Sequence, residues 1–177
     1  MNYFELYGIP VTMKPDPSII RAKFIELSRQ YHPDYHTGAS EEAQEEVLTK
    51  SSEINRALKV FSDPDETIRY VLQLNNLALD EEKYDLDPLF LGEVMEINEE
   101  LMDLEGENDL QRLEKLESDT NLLKQELYEN VATIIQNYTA DSTTEKELLQ
   151  VKDYYYKKKY LQRILDKITQ MRNIASP

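Results

Sequence analysis

The sequence predicts an all-α protein in two parts. An N-terminal antiparallel helical hairpin with short flanking helices is followed by a C-terminal antiparallel three-helix bundle. Three observations carry this. Apolar residues recur at three- and four-residue spacing along most of the 177 residues. Glycine is scarce, at 4 residues, while strong helix formers dominate. Finally, Gly, Pro and Asp-Pro breaks fall between the periodic stretches.

Residues 2–8 form a short helical turn that Gly8 can end, with Pro10 just beyond. Residues 11–17 carry two prolines and read as loop. Asp16 is an N-cap candidate with Pro17 at the first helical position. Ile20, Phe24, Leu27 and Tyr31 then recur at helical spacing, giving a helix over 17–31. It stops there because His32 precedes Pro33, and a residue before proline is pushed out of helix. A polar loop with Gly38 leads to Ser40, which caps a second long helix with an acidic first turn. The apolar face of that helix is Val47, Leu48, Ile54, Ala57, Leu58 and Phe61, and it ends before Asp63-Pro64.

A shorter helix covers 65–74. The helical period breaks over 75–88, so the chain divides into 1–76, a linker at 77–88, and 89–177. Three helical patterns follow, at 89–105, 107–139 and 142–174, with breaks at Gly106 and at 139–142. Short connections between long amphipathic helices imply an antiparallel bundle.

Composition narrows the function. The net charge is −15, which disfavours nucleic acid and anionic membranes as partners. Residues 1–76 hold eight basic and twelve acidic residues, net −4. Residues 77–177 hold twelve and twenty-three, net −11, as if the two parts meet different partners. The absence of cysteine removes disulfides, thiol catalysis and Cys-ligated metal. No secretory signal or spanning segment is visible, so a cytoplasmic protein is expected.

Tyr31-His32-Pro33-Asp34 is the stretch with chemical potential. His beside Asp could be an acid–base pair, though no nucleophile or oxyanion loop lies near it. His32, Asp34 and His36 could ligate a metal in a small hydrolase, although Pro33 prevents helical His spacing. The plainest reading is a helix-ending turn. Arg21, Lys23 and Arg29 on the preceding helix, interrupted by Glu26, give a basic patch that an acidic partner could use.

Lys23-Phe24-x-x-Leu27-x-Arg29-Gln30-Tyr31-His32-Pro33-Asp34 resembles the second helix and signature loop of J-domains. Ser52-x-Ile54-Asn55-x-Ala57-x-x-x-Phe61-x-Asp63-Pro64 resembles their third helix and its end. Tyr3-Phe4-x-Leu6-x-Gly8-Ile9-Pro10 is similar to the short first helix in the HscB branch. Phe90-Leu91-x-Glu93-x-Met95-Glu96-Ile97-Asn98-Glu99-Glu100-Leu101 resembles the opening of the HscB C-terminal domain. Residues 107–140 carry little signature. Two departures stand out: Tyr35 follows the loop where the family usually has Lys, and Gly92 sits where a large apolar residue is common.

The resemblance implies a co-chaperone that stimulates ATP hydrolysis by a DnaK/HscA-type chaperone. The docking residues would be His32, Pro33, Asp34, Arg29, Lys23 and Arg21. It implies delivery of an IscU-type iron–sulfur scaffold protein, held by Leu91, Gly92, Met95, Glu96 and Glu99, with Tyr160 on the last helix facing them. The alternative is a J-protein of a general DnaK with another client. No enzyme activity or cofactor is expected, and the chain would not hydrolyse ATP itself, because no Gly-rich phosphate loop with a following Lys is present.

On the predicted helix, Phe90, Val94, Ile97 and Leu101 form a competing apolar face that could fill the core, leaving Leu91 and Met95 for a partner. The run of tyrosines and lysines at 154–160 reads as a dispersed helix surface whose lysines pair with the acidic helix at 93–105, rather than as a nucleic-acid strip.

Overall fold

The computed structural model describes residues 1–78 and 83–175, and among these there are helices and turns but no strand. Residues 79–82 of the expected linker lie outside the described residues. The chain forms two compact units, Met1–Ala78 with Ile135–Thr143, and Leu79–Ile134 with Thr144–Pro177.

In the first unit, α1 (Tyr3–Tyr7) opens with a capping box. Asn2 accepts the Glu5 N–H, and the Glu5 carboxylate accepts the Asn2 N–H. Gly8 closes it at φ 64°, a left-handed turn that glycine adopts without strain. Helix α2 (Pro17–Gln30) starts on Asp16, whose side chain accepts the Ser18 N–H. After a single 3₁₀ turn at Pro33–His36 comes α3 (Glu41–Ser62), capped by Ser40. Asp63 caps α4 (Pro64–Leu74), accepting from Asp65 and Glu66 N–H.

Helix α4 ends in a Schellman motif. Asn76 takes φ 58°, its N–H bonds Gln73 C=O, and the Leu77 N–H bonds Leu72 C=O at 2.9 Å.

Helices α2 and α3 pack as an antiparallel hairpin, with α1 laid across it. Phe4 and Tyr7 bring their rings to Phe61 at 4.9 and 5.1 Å, and the Tyr7 hydroxyl donates to Ile54 C=O at 2.8 Å. Val47, Ile54, Ala57 and Phe61 form the buried stripe of α3. Leu48, expected on that face, is 58% exposed. It is one residue, or about 100° of helix, past Val47, and the stripe turns away from it. The return segment adds Tyr138, 7% exposed, whose hydroxyl accepts from Asn75 Nδ2 at 3.1 Å.

The second unit is a three-helix bundle of α5 (Pro88–Leu104), α6 (Leu110–Glu129) and α8 (Glu145–Ala175). Phe90, Val94, Leu101 and Leu104 of α5 meet Leu113 and Leu116 of α6 and Leu161, Ile164, Leu165 and Ile168 of α8 in one core. Gly106, at φ 80°, makes the expected break.

The single helix expected over 107–139 is instead two. Helix α6 stops at Glu129, and a short α7 (Ala132–Gln136) follows. Asn130 caps α6 with its N–H on Glu126 C=O. The spacing of Leu123, Leu127, Val131 and Ile135 continues through the break, so periodicity does not betray it.

Lys157 and Lys159 of the lysine run behave differently from expectation. Lys157 pairs with Asp87 at 2.5 Å and Asp153 at 2.7 Å, and Lys159 sits over the Tyr155 ring. An ion pair with the acidic stretch of α5 comes from Lys167, which reaches Glu105 at 3.0 Å. The tyrosines are engaged internally: Tyr154 and Tyr155 are buried, and Tyr156 stacks on Tyr84 at 4.5 Å.

Candidate functional site

The residues of interest form two sites, one in each unit. The first lies at the turn between α2 and α3. Pro33 holds His32 in extended backbone, φ −75° and ψ 126°, which ends α2 and aims the chain outward. The His32 ring then caps the 3₁₀ turn, with Nδ1 accepting the Asp34 N–H at 3.2 Å. An N–H can only donate, so in this pairing Nδ1 is the acceptor and the neutral ring keeps its proton on Nε2. That leaves an outward Nε2–H donor beside a carboxylate acceptor, since the His32 and Asp34 side chains are 51% and 85% exposed.

Tyr35, 75% exposed, leans its ring on His32 at 5.6 Å. The arrangement is a pair of exposed polar groups, donor beside acceptor, and the Nδ1 face of the imidazole is turned to the protein's own backbone.

His32, Asp34 and His36 do not assemble as ligands. His36 Nε2 lies 2.9 Å from Gln30 C=O, and among the described residues no group of three or more His, Asp or Glu is placed to hold an ion. Of the basic residues, Arg21 and Arg29 are exposed and eight apart, on one face with Ile25 between them. Lys23 points about 120° of helix away from Arg29 and is tied to Glu26 at 3.3 Å. The patch is therefore Arg21 with Arg29, and Lys23 stands apart.

The second site is the outer face of α5. Asp87 caps the helix by accepting the Phe90 N–H at 2.9 Å, and Pro88 occupies its first position. With Phe90, Val94 and Leu101 turned into the core, Leu91 and Met95 are left 40% and 61% exposed. Glu96 and Glu99 are exposed beside them. A side chain on Gly92 would meet nothing within 4 Å, so this position is a gap in an open surface.

Met102, 67% exposed, continues the stripe two and three turns on, at i+7 from Met95 and i+11 from Leu91. Sequence reasoning passed over it, although that spacing was the available signal. Tyr160 meets α5 at Phe90, ring edge to face at 6.3 Å, and is partly buried on the core side of the stripe.

Residues 2–70 match the DnaJ domain, and residues 86–169 match the HSCB C-terminal oligomerisation domain. The chain is 36% identical over 110 residues to the co-chaperone protein HscB homolog of Vibrio campbellii, covering 62% of this chain and 64% of that one. The Vibrio vulnificus homolog is 37% identical over 105 residues, covering 59% and 61%. The chain thus spans less than two thirds of the length of these curated relatives.

Among solved structures, human co-chaperone HscB superposes with a TM-score of 0.76 at 25% identity, over 96% of this chain and 81% of that one. Chaperone HscB from Vibrio cholerae shares the fold, with a TM-score of 0.73 over 98% and 99% at 24% identity.

Proposed function

The chain belongs to the HscB-type family of J-domain proteins, and from that premise we propose that it is a co-chaperone joining a DnaK/HscA-type ATPase to an iron–sulfur scaffold client of the IscU type. Residues 1–76 act as the J-domain, 77–88 as the linker, and 89–177, apart from the Ile135–Thr143 return that belongs to the first unit, as the client-binding bundle. The single observation that carries the reading is the exposed, backbone-capped His32-Pro33-Asp34 turn at the tip of the α2–α3 hairpin.

Docking works through binding preference. The turn stabilises the hydrolysis-competent state of the ATPase because it binds that state better, the only way a partner shifts an equilibrium. The His32 Nε2–H and the Asp34 carboxylate supply the directional contacts. Pro33 limits the entropy lost on docking, and Arg21 with Arg29 steers an acidic surface into place. ATP hydrolysis itself belongs to the partner, and this chain is a regulator rather than an enzyme.

The Leu91, Met95 and Met102 stripe, rimmed by Glu96 and Glu99, takes an apolar patch with basic neighbours on the client. Gly92 leaves room there, and Tyr160 backs the stripe through Phe90. Among the described residues no helix is long and apolar enough to cross a membrane. The proposed ATPase and scaffold partners would be met in the cytoplasm.

The test is single-turnover ATP hydrolysis by a DnaK/HscA-type chaperone with and without the chain. Stimulation by the wild-type chain should vanish in His32→Gln while circular dichroism and the melting profile stay as they were. An unchanged response in the variant would sink the reading.

A further inference from the structure

We infer that His36 and Gln44 are positioning residues that hold the docking turn in its binding geometry before any partner arrives. The inference deepens the co-chaperone reading and rests on it for its functional arm.

The turn between α2 and α3 is gripped by its backbone from both sides. On the α2 side, His36 Nε2 lies 2.9 Å from Gln30 C=O. A carbonyl can only accept, so Nε2 bears the proton. The bond satisfies one of the carbonyls that the end of a helix leaves without an internal partner. It spans six residues and closes a loop that contains His32, Pro33 and Asp34.

On the α3 side, Gln44 turns its amide back. Nε2 lies 3.1 Å from Thr37 C=O and 3.0 Å from Ala39 C=O, one for each of its two protons. The Ala39 N–H bonds His36 C=O at 3.1 Å and links the two grips.

Neither side chain overlaps the docking surface. His36 is partly buried, and Gln44, itself exposed, sits in the opening turns of α3 with its amide turned to the Thr37 and Ala39 carbonyls, while His32 and Asp34 face solvent. The turn has no core of its own: among Pro33–His36 no residue is buried. Its shape therefore rests on these few hydrogen bonds, on Pro33 and on the His32 cap. Removing the grips leaves the contacting groups intact but requires docking to order the turn as it binds, which weakens binding without changing what the bound state does.

The experiment uses the full chain with His36→Ala, Gln44→Ala and both together, and His36→Gln as the variant that keeps an amide donor near the Nε2 position. Amide hydrogen exchange is read in the free protein, and ATPase stimulation of a DnaK/HscA-type chaperone is read against co-chaperone concentration. In the double variant, exchange over residues 34–39 should quicken while the bundle helices are unchanged. The half-maximal concentration should rise on the order of three- to thirtyfold, with the maximal rate preserved at saturation. His36→Gln should recover most of the loss.

Unchanged exchange over 34–39 overturns the inference, as does an unchanged half-maximal concentration or a fall in maximal rate alone. If the wild-type chain stimulates no such ATPase, the co-chaperone reading fails on its own, and exchange in the free protein still decides whether the two side chains order the turn.

Discussion

Lys157, in the middle of α8, reaches Asp87, the N-cap of α5, across 2.5 Å, and so ties the start of the proposed client-binding helix to the helix behind it. Asp87 serves two partners at once. The Lys157 ammonium, and after it the Phe90 N–H, hold its carboxyl below the ordinary aspartate value. Burial opposes the charge on Lys157, but hydrogen bonds to Asp153 and Asp87 prevail and raise its pKa.

The first prediction concerns acid. A lowered folded pKa on Asp87 gives stability that is present above the unfolded value, about 3.9, and is lost as pH falls through the folded one. Asp87→Asn can keep a cap for Phe90 but has no charge to lose. Thermal melts between pH 6 and pH 3 should show wild type losing more stability than the variant on acidification. Parallel pH profiles would contradict this.

The second concerns alkali. Burial pushes the Tyr7 hydroxyl up to about 12. A raised folded pKa gives stability that is complete below the unfolded value of about 10 and is lost as pH rises through the folded one. Tyr7→Phe should cost about 0.5–1.5 kcal/mol at pH 7, from the bond to Ile54 C=O, and should flatten the alkaline limb of a denaturation series.

Helix α5 separates stability from binding on its two faces. Leu101→Ala, at a position 1% exposed, should cost about 2–5 kcal/mol in urea melts. Leu91→Ala, Met95→Ala and Met102→Ala should each cost no more than about 0.5 kcal/mol, yet together weaken scaffold binding by calorimetry. An undiminished affinity in the triple variant would remove the client face from α5.

Gly92 offers the reverse experiment. Because a Cβ there meets open space, Gly92→Ala should stabilise the chain by about 0.5–1 kcal/mol through backbone entropy alone. Gly92→Leu should keep most of this gain and, by adding apolar surface beside the stripe, tighten scaffold binding.

Most of the architecture was legible because the helix boundaries are written in local chemistry. Asp16-Pro17, Ser40 and Asp63-Pro64 each pair an N-cap with its following turn, and Gly8 closes α1. The break after Glu129 was not legible, because the four-residue spacing of Leu123, Leu127, Val131 and Ile135 runs through it. Leu48 misled because its neighbour Val47 holds the stripe and adjacent residues diverge by about 100°.

At the docking turn, sequence identified the residues but not their roles. His36 offered itself as a metal ligand, and only the folded loop shows its proton committed to Gln30 C=O. Gln44 drew no notice, since nothing in an exposed glutamine says that it reaches back five and seven residues.

The open stripe on α5 has a colloidal consequence. Leu91, Met95 and Met102 are all exposed along one face of the helix, an apolar stripe that a second copy can cover. Glu93, Glu96, Glu99, Glu100 and Asp103 crowd the same helix on a chain of net charge −15, so approaching copies repel. That barrier reaches about 10 Å at 0.1 M salt and about 3 Å at 1 M. Concentrated salt should therefore drive self-association, and light scattering across that range should show apparent mass rising with ionic strength, less so for Leu91→Ala with Met95→Ala.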